Sequence, residues 1–317
     1  MEKKPLIVIV GPTASGKTAV SIELAKKYDG EIVSADSMQI YKGMDIATAK
    51  PTIDEMQGIP HHLISELKES TAFSVADYVK LAKESIDNIY SRGKIPILVG
   101  GTGLYINSLV DNIAFDNTSS NKEIRDRLTL EAKQNGNAFL LNKLMQIDKE
   151  TAITLHENNL TRIIRAIEYF EITGEKLSVQ NIRSRENESI YNTCFIGLNY
   201  SNRQDLYDRI NIRVDKMLED GLLTEAKEVF KNKELATACQ AIGYKELIPY
   251  FNSEKTLEEC VNYLKQQSRR YAKRQLTWFR RDVRINWIEI ASKNIVLYDI
   301  IEKAINIIDN TGILIKK

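Results

Sequence analysis

The chain has 317 residues, 43% hydrophobic and 27% charged, which is enough apolar material for one large domain and a smaller companion. Its formal net charge of +1 excludes a global polycation, so any affinity for nucleic acid must come from cations gathered in one part of the chain. Three well-separated cysteines, Cys194, Cys239 and Cys260, argue against a disulfide scaffold and for a reducing compartment, and no stretch approaches the roughly 20 apolar residues of a membrane span.

The apolar run Leu6-Ile7-Val8-Ile9-Val10 predicts a first β-strand; Gly11-Pro12 cuts it too short for a signal peptide. Gly11-Pro12-Thr13-Ala14-Ser15-Gly16-Lys17-Thr18 follows, and a helix is predicted over Ala19 to Lys27. The pattern G-x-x-x-x-G-K-[ST] between a buried strand and a helix is a P-loop. Its backbone N–H groups curl round phosphate oxygens, Lys17 adds a positive charge, and Thr18 can reach a magnesium ion. An ordinary glycine-rich turn is the plainer alternative.

Glu31 to Ser37 predicts a second strand that delivers Asp36 and Ser37 at its C-terminal end, the ligand edge of an open α/β sheet. Met38 to Pro51 is too irregular for one element and is expected to be a functional loop. Neighbouring His61 and His62 lack the company of a metal site, so a structural role is expected. Ser74 to Ile89 has the spacing of an amphipathic helix, and Ile95 to Val99 predicts a third strand running into Gly100-Gly101-Thr102-Gly103-Leu104-Tyr105. Nucleotide-hydrolysing P-loop proteins carry a magnesium-binding Asp at the end of such a strand; its absence here lowers the case for hydrolysis and leaves Asp36 as the leading carboxylate.

From about Asn117 to Tyr191 the chain turns polar and helical, over Ile124 to Gln134, Ala138 to Gln146, Thr151 to Leu155 and Leu160 to Ile172. This predicts an α-helical insertion, 117–191, in a core of 1–116 and 192–317. Arg162, Arg165 and Glu168 fall opposite Ile163, Ile164 and Ile167, which reads as a solvated face. Cys194 to Asn199 returns to the sheet. Arg209 and Arg213 then sit one turn apart on a helix, either as an anion clamp or as partners of Asp205, Asp208 or Asp215. Finally, Lys265 to Arg284 holds eight basic residues against one acid, Asp282, with Tyr271, Leu276 and Phe279 spaced for a helix's packing face and the cations interleaved with Trp278, a composition suited to RNA phosphates and base stacking.

Taken together, these motifs resemble the tRNA dimethylallyltransferase (isopentenyltransferase) family over nearly the whole chain. The matching stretches are Gly11 to Thr18, Ser34 to Gly43, Thr48 to Pro51, His61 to Leu63, Gly100 to Tyr105, Arg209 to Leu218, Ala241 to Tyr244 and Lys273 to Trp278. The resemblance implies a P-loop NTPase-like α/β fold, a parallel sheet flanked by helices, with the helical insertion. It also implies prenyl transfer from dimethylallyl diphosphate to the exocyclic amine of the adenosine 3′ of a tRNA anticodon. Residues Gly11, Pro12, Thr13, Ala14, Ser15, Gly16, Lys17 and Thr18 would cradle the diphosphate with Arg209 and Arg213. Asp36 would accept the amine proton, Thr102 would orient base or diphosphate, and Thr18 and Asp36 would position Mg2+.

The tRNA anticodon stem-loop is expected on Asp36, Ser37, Met38, Gln39, Thr102, Arg125, Thr161, Arg162, Ile163, Ile164, Arg165, Arg270, Lys273 and Arg274. That expectation displaces the solvated-face reading of Arg162 and Arg165. A cytoplasmic monomer is expected. The rival readings are a P-loop small-molecule kinase, a prenyltransferase acting on free nucleotides and a non-catalytic, nucleotide-regulated RNA-binding protein.

Overall fold

The structure is a computed structural model that describes residues 3–116, 120–231, 241–291 and 297–314. Its chain divides into two compact units, Met1–Val110 with Ser189–Lys317, and Asp111–Glu188. The polar segment therefore leaves the core fold at Asp111, directly after the helix Gly103–Val110, and returns at Ser189, just before the strand that re-enters the sheet.

The larger unit is built on six parallel strands: β1 (Lys4–Val10), β2 (Gly30–Ala35), β3 (His61–His62), β4 (Ile95–Gly100), β5 (Tyr191–Tyr200) and β6 (Ile285–Ile290). Their order across the sheet is β3-β2-β4-β1-β5-β6. Strands covered on both faces read as unbroken apolar runs, and Leu6 to Val10 is fully buried for that reason. Ile7 and Ile9 pack with Val20, Leu24, Ile196 and Leu198 in one core. The paired histidines form the short edge strand β3, where His62 Nε2 meets the Glu31 carboxylate at 2.7 Å, so the expected structural role is what the fold gives them.

Parallel strands finish at one edge of the sheet. The register pairs Val10 with Gly100 and Ala35 with Gly100, so the residues that follow, Gly11, Gly101 and Asp36, leave three neighbouring strand ends side by side. The helix Lys17–Tyr28 starts at the end of the P-loop, with Gly16 as its cap at φ 93°, a left-handed conformation that glycine adopts without strain.

The smaller unit consists of the helices Lys122–Asn135, Asn137–Ile147, Lys149–Ala152, Leu160–Thr173 and Leu177–Arg183. Leu128, Leu140, Leu144, Ile163 and Ile167 fill its core. Two expectations are corrected here. Ile163 and Ile164 are buried, at 0% and 7% exposure, so their side chains belong to the helix-packing face and are not available to RNA. Glu168 is also fully buried, not on a solvated face: it accepts from Asn121 N at 2.7 Å, from Arg125 Nε and Nη2 at 2.9 and 3.0 Å, and from Arg165 Nη1 at 3.2 Å. Burial pushes its carboxyl up, but the Arg125 pairing, the Asn121 N–H and Arg165 more than offset this and hold it below the usual range.

Candidate active site

A cavity of about 390 Å³ opens where β1, β2 and β4 end. Its polar lining includes Thr13, Lys17 and Thr18 of the P-loop, Asp36 to Gln39 after β2, and Arg213. Apolar lining comes from Ile210, Val214 and Met217 of the helix Arg203–Glu219, from Ile242, and from Leu264 of the helix Leu257–Phe279. Ile210, Arg213, Val214 and Met217 follow the i, i+3, i+4, i+7 spacing of one helical face, so a single helix presents both a cation and hydrocarbon to the cavity.

The P-loop is braced both from within and from outside. Lys17 Nζ donates to the Gly11 and Pro12 carbonyls at 2.9 and 2.7 Å. Arg213 Nη1 donates to Thr13 Oγ1 at 3.1 Å, and Arg209 Nε to the Ala14 carbonyl at 3.1 Å while its guanidinium lies 5.8 Å from the Tyr200 ring centroid. Of the three carboxylates that competed for these arginines, Asp215 instead pairs with Lys265 at 2.5 Å. Both arginines therefore reach the phosphate loop, Arg213 at the cavity wall and Arg209 on the loop's outer side. Burial pulls the Lys17 ammonium down to about 7, the Arg213 charge lowers it further, and Asp36 partly opposes both.

Asp36 Oδ1 accepts from the backbone N–H of Met38 at 2.9 Å and of Gln39 at 3.3 Å, folding the residues after β2 into a turn. Thr102 does not line the cavity; its hydroxyl accepts from Ser37 N at 3.2 Å and so holds that turn from behind. Ser37, Met38 and Gln39 thus form one rim. Gln39 Nε2 continues it, donating to the Thr48 and Ala49 carbonyls at 3.1 and 3.3 Å.

Sequence reasoning missed Gln275. Its Oε1 accepts from Thr13 N at 2.8 Å and its Nε2 donates to the Gly101 carbonyl at 3.1 Å, tying the P-loop to the end of β4. The glycines after β4 make this approach possible: a Cβ at Gly101 would lie 2.0 Å from Gln275 Nε2, and one at Gly103 would lie 2.1 Å from the Trp278 ring. They seat the helix Leu257–Phe279, and Gly100 and Gly101 also line the cavity. Gln275 belongs to the stretch Lys273 to Trp278, where the neighbouring cations drew the attention. Tyr271, also in the lining, was likewise read only as part of a packing face; burial, the Asp36 charge and smaller opposing effects leave its phenol above its ordinary range.

On the same helix Arg270, Lys273 and Arg274 are exposed, with Arg274 at the cavity mouth and 5.5 Å from the Tyr271 ring centroid. Arg269 differs, since it donates to Asn211 Oδ1 at 2.7 Å and lies 5.9 Å from the Tyr207 ring centroid. Thr161, Arg162 and Arg165 open the helix Leu160–Thr173 of the smaller unit, and Arg125 stands on Lys122–Asn135 in the same unit. Cys194 and Cys260 are buried free thiols, and Cys239 lies outside the described residues. No helix among the described residues is long and apolar enough to cross a membrane.

A family model described as IPP transferase matches residues 39–282. The chain is 50% identical over 285 residues to a tRNA dimethylallyltransferase of Acetivibrio thermocellus, covering 89% of this chain and 91% of that protein. It is 48% identical over 289 residues to that of Bacillus subtilis, covering 91% of each. Among solved structures it is similar to the full-length tRNA isopentenylpyrophosphate transferase of Bacillus halodurans, with 43% identity, a TM-score of 0.73 and coverage of 97% and 96%. It is also similar to a eukaryotic dimethylallyltransferase acting on tRNA, with 31% identity, a TM-score of 0.81, and coverage of 98% of this chain and 79% of that one.

Proposed function

The chain belongs to the IPP transferase family, and on that premise we propose that it moves a dimethylallyl group from dimethylallyl diphosphate to tRNA. The acceptor is the exocyclic N6 of the adenosine 3′ of the anticodon, and diphosphate is released. One observation carries the reading: Lys17, Asp36 and Arg213 line a single cavity together with the apolar side chains of Ile210, Val214, Met217, Ile242 and Leu264, so an anion site, a proton acceptor and a hydrocarbon surface share one space.

In this reaction a bond forms between N6 and C1 of the allyl group as the C1–O bond to diphosphate breaks. Negative charge builds on the leaving diphosphate, where the P-loop N–H groups, Lys17 and Arg213 are best placed to stabilise it. The amine becomes cationic as the new bond forms, which makes its proton acidic; a carboxylate such as Asp36 is basic enough to take it. The apolar lining keeps water from an allylic centre that would otherwise be hydrolysed. Adenine stacked in an anticodon loop is out of reach, so the nucleotide must be extruded into the cavity. The rim Asp36 to Gln39, the exposed Arg270, Lys273 and Arg274, and Thr161, Arg162, Arg165 and Arg125 of the smaller unit are the proposed RNA contacts.

Magnesium fits the donor set. Thr18 and Asp36 supply hard oxygens on one cavity wall, and among the described residues no cluster of three or more His, Cys, Asp or Glu makes a protein cage. That suits an ion held by one or two protein oxygens and by substrate phosphates. When bound it would neutralise charge on the departing diphosphate, and Thr18 and Asp36 would hold it. The kinase reading loses support at β4, because the space beyond the strand that would hold a metal-binding carboxylate is taken by Gln275.

Incubating the protein with unmodified tRNA and either labelled dimethylallyl diphosphate or ATP labelled on its terminal phosphate tests the reading. Label should enter tRNA from the prenyl donor only and map to the base 3′ of the anticodon. Phosphate transfer, or label on free nucleotides instead of tRNA, would refute it.

A further inference from the structure

Glu225 stands on the helix Leu222–Lys231, outside the cavity lining, yet its carboxylate collects four donors from two segments that do line it. Oε2 accepts from the backbone N–H of Asp45 at 2.9 Å and of Ile46 at 2.8 Å, and Oε1 accepts from Ala47 N at 2.9 Å and from the Tyr244 hydroxyl at 2.7 Å. Three successive N–H groups converging on one anion form a concave nest, a backbone shape suited to binding an anion. The bonds are charge-assisted and lie in an incompletely hydrated setting, where such bonds are at their strongest.

What these segments do next gives Glu225 its importance. The first continues into Ala47, Thr48 and Ala49, and the second comprises Ala241, Ile242 and Gly243; all six lie in the cavity wall. They also touch each other closely, since a Cβ on Gly243 would fall 2.8 Å from Ala47 Cβ. Glu246 adds a brace of its own, accepting from Gly243 N at 2.9 Å. Two irregular segments thus make part of the cavity wall, and of the carboxylates beside them Glu225 bonds to both.

A bound donor can be oriented from the same observations. Its diphosphate belongs with Lys17 and Arg213, and Met217 lies four residues beyond Arg213 on the same helix, about 6 Å along the axis at 1.5 Å per residue. A dimethylallyl group spans a distance of that order, so its methyl end would lie toward Met217, which shares the cavity lining with Ile242 and Ala47.

Resting on the prenyl-transfer reading, we propose that Glu225 is a positioning residue: by holding the Asp45–Ala47 and Ala241–Tyr244 segments together it fixes the far wall of the hydrocarbon site and so sets the length of chain accepted. The carboxylate touches neither substrate. With the wall fixed, a ten-carbon donor meets Ile242 and Ala47; with it loosened, the longer chain is admitted and the shorter one is held less well. Discrimination by one methylene in an apolar pocket is commonly ten- to 200-fold, which makes a five-carbon difference easily read.

The test compares Glu225→Ala and Tyr244→Phe with the unaltered protein, using dimethylallyl diphosphate, geranyl diphosphate and inorganic diphosphate as probes and unmodified tRNA as acceptor. For Glu225→Ala, KM for dimethylallyl diphosphate should rise about tenfold or more, and the preference for the five-carbon over the ten-carbon donor should fall by at least that factor. The affinities for inorganic diphosphate and for tRNA should stay within about twofold. Tyr244→Phe removes one of the four bonds and should shift selectivity in the same direction by a smaller factor, which keeps the inference testable if Glu225→Ala does not fold. Unchanged donor selectivity in the folded variants overturns the inference while leaving prenyl transfer intact, and so does an equal loss of affinity for inorganic diphosphate. Failure of the unaltered protein to prenylate tRNA from either donor overturns the reading on which the inference rests.

Discussion

The side-chain oxygen of Gln275 accepts a hydrogen bond from the backbone N–H of Thr13 at 2.8 Å, across 262 residues of sequence. The helix that bears the exposed Arg270, Lys273 and Arg274 thereby braces the P-loop. Gln275→Glu preserves the acceptor but replaces the amide that donates to Gly101 with a negative charge beside the proposed diphosphate position. The expected result is a donor KM raised by about an order of magnitude and unfolding made easier by about 1–3 kcal/mol. Donor titration and chemical denaturation measure the two effects separately; wild-type values for both would mean that the brace is dispensable.

Asp36→Asn tests the proposed proton acceptor while preserving the turn that Asp36 holds. Asn keeps an oxygen for the N–H groups of Met38 and Gln39, so the turn after β2 should survive and tRNA binding should not change. The chemical step should slow by about 10²- to 10⁴-fold, the usual contribution of a general base. Single-turnover rates with enzyme in excess over tRNA provide the measurement, and a rate near that of the unaltered protein would remove Asp36 from the role.

At the proposed donor site Lys17 should give binding a pH dependence. With its ammonium lowered to about 7 by burial and by Arg213, a growing share of the empty sites is neutral as pH rises through 7. A diphosphate favours the charged form and pulls the value back up, so binding above pH 7 takes up a proton and binding well below 7 takes up none through this group. Donor affinity should therefore weaken from pH 6.5 to 8.5 at fixed magnesium. Calorimetry at pH 8 in buffers of different ionisation heat should register net proton uptake, which Lys17→Met should abolish; the variant's weaker binding calls for higher donor concentrations.

The basic helix separates into residues with different duties. Arg270, Lys273 and Arg274 are exposed, and replacing all three with Ala should weaken tRNA binding and lower the slope of log affinity against log salt by about two to three. Arg269 is held by Asn211 and Tyr207, so Arg269→Ala should mainly lower stability and leave the salt slope nearly unchanged. Binding titrations between 50 and 200 mM salt distinguish the two, and an unaltered slope in the triple variant would exclude phosphate contact by these three residues.

Local pattern revealed much of this molecule. Leu6 to Val10 and Ile95 to Val99 announced themselves as buried strands by unbroken apolar runs, and the P-loop announced the ligand edge. The strand β6, Ile285–Ile290, did not, because its alternating burial follows directly on a cationic stretch and is interrupted by Asn286 and Glu289. Glu168 was misread for a related reason: helical spacing can place a residue opposite an apolar stripe but cannot show that Arg125, Arg165 and Asn121 will enclose it. Gln275 and Glu225 lay beyond local pattern altogether. Each acts on loops more than 170 residues away, and nothing in a glutamine or glutamate on a helix says which distant backbone it will meet.

The packing of Trp278 over Gly103, together with the Gln275 bridge, has a thermodynamic consequence for the order of events. One helix bears both the exposed cations and the P-loop brace, so a ligand restraining one would bear on the other. Energy exchanged this way is reciprocal. Whatever factor the bound donor adds to RNA affinity, bound RNA must add to donor affinity, and the two substrates need no contact with each other for that to hold.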